Sequence, residues 1–143
     1  MENRENSNRP LEIKMPLKVQ TYDIDFMGIV SNISYVKWLE DLRLYFLETH
    51  YPLNILMKDG DIPIVQMTQI EYKRPVRLFD NVTGCLWMQS FESPKWTARM
   101  EIWANDKLCT SCMQTGVFIS LSSLKPSKVP EKLQNKFDED IKT

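Results

Sequence analysis

The segment Tyr22-Asp-Ile-Asp25-Phe-Met-Gly28-Ile-Val-Ser31-Asn32-Ile-Ser-Tyr35 places a carboxylate, a glycine three residues later and two good helix-capping residues in one short stretch. The glycine permits a tight turn, and Ser31 or Asn32 can accept hydrogen bonds from the first free amides of a helix. Such a start offers unpaired N–H groups and the positive end of the helix dipole to any oxygen that gains negative charge. A carboxylate at Asp25 beside an oxyanion site is therefore the chemistry this stretch can support. Asp23 fits the plainer role of a turn or cap former.

Other chemistries lack their residues. The four glycines, Gly28, Gly60, Gly84 and Gly116, are scattered, so no phosphate-cradling or dinucleotide-binding glycine loop can be assembled. The single histidine, His50, falls at the far end of the predicted helix, roughly 25 Å from Asp25 at the α-helical rise. It reads as a cation helping the helix C-terminus, not as a member of a Ser-His-Asp or Cys-His group. Cys109 and Cys112 have a metal- or redox-like spacing. Residues three apart in a strand face opposite sides, so these thiols, with Cys85, read as packing residues. No metal and no cofactor is expected.

The elements that must position Asp25 are legible in the periodicity. Leu11 to Thr21 reads as a strand leading into the Asp25 loop. Tyr35, Trp38, Leu39, Leu42, Tyr45 and Phe46 form one apolar stripe, with Lys37, Glu40, Asp41 and Glu48 away from it, which predicts a helix from Asn32 to Thr49. Pro52 ends it, and Leu53 to Lys58 is a further helical turn. Gly60-Asp61 precedes a strand from Ile62 to Tyr72, Pro75 and Asp80-Asn81 precede one from Val82 to Phe91, and Ser93-Pro94 is a hairpin. Ala98, Met100, Ile102 and Ala104 then alternate with polar or larger neighbours, Asn105-Asp106 makes the next turn, and Leu108 to Leu121 is the last long strand. Residues 1–12 read as a flexible tail, 13–124 as one domain, and 125–143 as a linker with a short helix from Val129 to Phe137. One long helix followed by hairpin-linked strands argues an α+β fold, the helix stripe covering the apolar face of an antiparallel sheet.

A chain of 143 residues with 43% apolar and 26% charged residues is of ordinary globular type. A net charge of −1 gives no overall attraction to nucleic acid, so a polyanionic partner has to be bound locally. No apolar run is long enough to span a bilayer. The polar start lacks the apolar core of a signal peptide, and an odd cysteine count suggests reduced thiols, so a cytoplasmic location is expected.

The pattern Y-x-x-D-x-x-G-I-V-x-N-x-x-Y, followed by W-L-E-x-x-R, resembles the active-site segment of the 4-hydroxybenzoyl-CoA thioesterase branch of hotdog-fold proteins. It is most similar to the bacterial acyl-CoA thioesterases of that branch, through Met27, Gly28, Val30 and Tyr35. Glu71-Tyr-Lys73-Arg74-Pro75-Val-Arg77-Leu-Phe-Asp80 is similar to a second motif of the family, and the likeness runs from about Met15 to Leu121. Where close relatives often carry His, this chain has Asn32, as the related acyl-carrier-protein thioesterases do.

The resemblance implies a hotdog fold, a curved antiparallel sheet wrapped around one long helix, and hydrolysis of an acyl-CoA to free acid and CoA. A thiolate leaves without a strong general acid, since its conjugate acid has a pKa near 8.5. Asp25 can then act as nucleophile or as general base on water. The main oxyanion donor is placed at the Asn32 amide, with Ser31 beside it. Tyr22, Phe26, Gly28, Tyr35 and Met67 would line the substrate site, with Trp38 ranked below Phe26 and Tyr22. Lys73, Arg74 and Arg77 would hold the phosphates of CoA by charge-assisted hydrogen bonds, and Lys95 is a weaker candidate. Hotdog subunits generally pair through their sheets, so a homodimer or homotetramer is expected, with acyl carrier protein as the alternative carrier. A hotdog protein that binds acyl thioesters without turnover is the reading from another class.

Overall fold

The computed structural model describes residues 8–142. Its elements are β1 (Ile13–Leu17), a 3₁₀ turn (Thr21–Asp23), α1 (Asn32–His50), α2 (Leu53–Lys58), β2 (Asp61–Tyr72), β3 (Val82–Glu92), β4 (Lys95–Ala104), β5 (Lys107–Ser120), β6 (Pro126–Ser127) and α3 (Glu131–Ile141). The strands form one antiparallel sheet in the order β1-β3-β4-β5-β2, with β6 paired to the end of β5. β1 and β2 thus stand at opposite edges although only helices separate them in sequence. α1 has to cross the sheet face to join them, and it packs on β1 and β3 as it does so. Pro16 and Pro63 lie in these two edge strands, where a residue without an N–H costs no ladder bond.

α1 buries Tyr35, Trp38, Leu39, Leu42, Phe46 and Leu47. Tyr45, expected in the same stripe, is 43% exposed. It lies roughly 80° from the stripe's centre at 3.6 residues per turn, beyond the arc the sheet covers. In β4 the predicted alternation holds, with Trp96, Ala98, Met100, Ile102 and Ala104 buried. Asn105 and Asp106 both take positive φ, as a two-residue hairpin turn requires. Gly116 sits where a Cβ would collide with the Ile64 carbonyl oxygen and the Trp96 ring, so the Trp96 ring can lie against the strand backbone only over a glycine.

Both ends of the described residues join this core. Of the tail expected over residues 1–12, residues 1–7 lie outside the described residues. Arg9 pairs with Glu12 and Glu101 and lies over the Trp87 ring, and Leu11 is buried. α3 runs four residues past the predicted end at Phe137, to Ile141. Its Leu133 and Phe137 are buried, with Phe137 edge-on to Phe91.

Candidate active site

The Asp25 loop is a tight reversal held by backbone. Ile24 bridges Val30, the Asp25 N–H donates to Ile29 O at 2.9 Å, and the Gly28 N–H donates to Asp25 O at 3.0 Å. Gly28 has φ +78°, a conformation that glycine adopts without steric cost. The Asp25 carboxylate accepts the Met27 N–H at 2.8 Å, which fixes one oxygen at the tip of the turn. The loop is stitched to the chain leaving β2, because Val30 N–H donates to Val76 O at 2.8 Å and Ile29 bridges Arg77.

Behind the loop, Asp23 is the anchor. It is buried, and its carboxylate accepts the Gln20 N–H and the Ser34 hydroxyl, both at 2.8 Å. Its carbonyl accepts the Ser31 N–H at 2.8 Å. The cap-former reading of Asp23 holds, and the bond to Ser34 ties that cap to the first turn of α1.

Ser31 is the N-cap of α1, and it makes no side-chain cap hydrogen bond. Asn32 is therefore the first helical residue and not the cap. Its side chain is exposed. Among the described residues, the amides of Asn32 and Ile33 have no hydrogen-bond partner, as expected of N–H groups in a first helical turn. Among the described residues no hydrogen bond joins Asp25 to Asn32.

Of the basic residues, Arg77 is laid beside the loop by the Ile29–Arg77 bridge. Arg77 and Asp80 close a turn on each other's backbone, Arg77 N–H to Asp80 Oδ2 and Asp80 N–H to Arg77 O. The amides of Lys73 and Arg74 both donate to Cys109 O, while Lys73 Nζ pairs with Glu71 at 3.2 Å. All three side chains are exposed.

The apolar candidates divide. Tyr22 and Phe26 are 77% and 96% exposed, and Met67 stands half exposed on β2. Tyr35 is buried, edge-on to Trp38 and Tyr72, and burial raises its pKa above the usual tyrosine value. Trp38 is core as well. An apolar cavity of about 140 Å³ lies toward the other end of α1, lined by Phe46, Trp96, Phe118, Leu133 and others, with Arg43 at its side.

His50 is corrected. Its ring donates to Leu11 O at 3.0 Å, and burial pushes its pKa below the ordinary value, which works against a cation there. Lys136 from α3 supplies the charge at the α1 C-terminus, donating to His50 O at 3.0 Å. Cys85, Cys109 and Cys112 are buried thiols that form no disulfide among the described residues, and burial raises the Cys112 thiol to about 12.

Residues 19–137 match the sequence model of the thioesterase-like superfamily, and the chain belongs to that family. The DHNA-CoA thioesterase of Staphylococcus aureus superposes with a TM-score of 0.82 at 17% identity, covering 90% of this chain and 89% of that one. A Thermus thermophilus thioesterase solved with coenzyme A and zinc gives 0.79 at 18% identity, over 95% and 97%. The 1,4-dihydroxy-2-naphthoyl-CoA thioesterase of Synechocystis gives 0.79 at 16%, over 90% and 96%. Among curated protein sequences none matches significantly. At these identities the likeness fixes the fold, and the fold is the hotdog arrangement expected from the motif. No helix among the described residues is long and apolar enough to cross a membrane.

Proposed function

We propose that the chain is a cytoplasmic acyl-CoA thioesterase that hydrolyses its substrate to free acid and CoA. The observation that carries this reading is the pairing of two features: a turn bearing the Asp25 carboxylate, and unpaired amides at Asn32 and Ile33 on the helix start that follows it. Asp25 attacks the acyl carbon or deprotonates a water. The oxyanion so formed is met by N–H groups already oriented by the helix, so little reorganisation accompanies the step. The thiolate then leaves. Arg77, exposed and bridged to the loop, and the exposed Arg74 three residues before it take phosphates of the CoA handle, with Lys73 partly spent on Glu71.

The active unit is a homodimer or a larger assembly of such dimers. Among the described residues the outer edge of β2 has no partner strand, and Ile64, Val65, Met67 and Tyr72 along it are exposed. An unpaired, apolar edge of this length favours a second strand. A copy seated there would also cover the exposed Tyr22 and Phe26 and make them walls of a shared site.

The test is a thiol-release screen with acyl-CoAs, the same acyl groups on acyl carrier protein, and short thioesters without a nucleotide. Release from the CoA series with Asp25→Asn inactive supports the reading. Release confined to acyl carrier protein replaces the carrier. Tight binding of acyl-CoA with no thiol released makes the chain a binding protein.

A further inference from the structure

One face of α1 leads away from the helix start. Ile33, Val36, Lys37, Glu40 and Arg43 succeed one another at helical spacing. The last four form one wall of a groove of about 290 Å³, whose other wall is Val65, Thr68 and Gln114. Arg43 and Val65 also line the apolar cavity behind it. The two spaces are therefore neighbours, and Arg43 stands between them. Its Nη1 donates to Gln114 Oε1 at 2.9 Å, and Gln114 Nε2 donates to Thr68 Oγ1 at 3.0 Å. Gln114 is 2% exposed, so the tether that holds Arg43 is itself fixed in the core.

Past Arg43 the walls are carbon. Phe46, Phe91, Trp96, Phe118 and Leu133 dominate them, and the Trp96 N–H is spent on Val117 O at 3.4 Å. A polar ligand would find no partner there. Close-packed interiors keep few voids of this size. At about 140 Å³ the cavity is in the range that takes benzene, or roughly six carbons.

We propose that this cavity receives the far end of a long, unbranched acyl chain whose thioester lies at the start of α1, with Arg43 setting where the chain passes from groove to cavity. The inference rests on the thioesterase reading above. From Asn32 to Arg43 the helix rises about 16 Å, which an extended, staggered hydrocarbon spans in roughly a dozen carbons. The cavity then takes the remainder. Short or aromatic acyl groups stop in the exposed part and leave it empty. The Arg43 stem runs beside the chain while its charged head stays on Gln114.

The test uses the full chain with carbon-13 methionine methyls, titrated with butanoate and hexadecanoate, alongside a cleavage series from butanoyl-CoA to hexadecanoyl-CoA. Met88 lines the cavity. Hexadecanoate should shift its signal to saturation and butanoate should not, and kcat/KM should rise by roughly tenfold or more along the series. Ala98→Leu fills the cavity from β4. It should abolish the Met88 response and raise KM for hexadecanoyl-CoA far more than for butanoyl-CoA. Arg43→Met keeps a side chain of similar reach, and should change the ratio of those two KM values severalfold even if the Ala98 variant fails to fold. A silent Met88 overturns the inference whatever the cleavage assay gives, and so does a chain-length profile that every folded variant leaves untouched. A saturable Met88 shift with no thioester cleaved removes the thioesterase reading and leaves the cavity's occupant standing.

Discussion

The two ends of α1 are built in opposite ways. At the N-terminal end the backbone is tied down at Ile24, Asp25, Val30 and Ser31, while Tyr22, Phe26, Met27 and Asn32 stand exposed. At the C-terminal end the side chains do the holding. Phe46 packs on His50, His50 reaches Leu11, and Lys136 closes the last carbonyl. The first end keeps donors unpaired in a fixed place, as a site for a developing charge requires. The second leaves little unpaired and carries cohesion. Site and core therefore share one helix but few residues, and substitutions should separate them.

The sharpest separation is expected from Asp25→Asn. It should lower turnover by roughly 10²- to 10⁴-fold, the usual worth of a positioned acid–base group, without moving the melting temperature. Near-normal rates in steady-state assays would take Asp25 out of the mechanism. The converse is Leu133→Ala at the other end. Removing this fully buried side chain should cost about 2–5 kcal/mol in denaturant unfolding, and cleavage of butanoyl-CoA, whose acyl group stops short of the cavity that Leu133 lines, should persist below the new midpoint. An equal loss of activity at full foldedness would mean that the two ends are coupled.

Asn32 tests whether one substitution can push the two properties in opposite directions. Asn32→Asp puts a negative charge on the first helical residue, which should stabilise α1 by about 0.3–1 kcal/mol. The same charge sits where the oxyanion is proposed to form, so activity should fall while Asn32→Ser retains it. Equal rates in the two variants would move the oxyanion elsewhere.

The smallest effect is a pH dependence carried by His50. Its folded pKa lies below the ordinary 6.5 because burial disfavours the cation. The unfolded chain thus binds more protons in the window between the two values. Stability should rise with pH through that window and level off above it. His50→Gln should flatten this slope in urea titrations at several pH values.

Much of this was readable from residue order. The period of α1, the alternation in β4 and the Asn105-Asp106 turn are local patterns, and they set the elements to within a few residues. The Asp25-to-Tyr35 motif located the loop. What could not be read depends on how distant elements meet. The sequence left the cap open between Ser31 and Asn32, and the structure gives it to Ser31, whose amide the Asp23 carbonyl holds, with the helix beginning at Asn32 as expected. His50 looked like a terminal cation, but α3 brings Lys136 there and Leu11 takes the imidazole. The Arg43–Gln114–Thr68 tether spans α1, β5 and β2. Its one visible trace was a glutamine among Cys112, Gly116 and Phe118 on the core-facing side of β5, a polar residue that had to have buried partners.

The stitch between Val30 and Val76 has a consequence for how the protein behaves in number. Val76 and Arg77 lie a few residues past the end of β2, the edge proposed above to receive a second copy. Whatever clamps that edge also stiffens the backbone against which the Asp25 loop is laid. Catalytic competence and self-association would then draw on the same few peptide bonds, so specific activity would depend on protein concentration, and diluting the protein would lower it before any loss of fold could be detected.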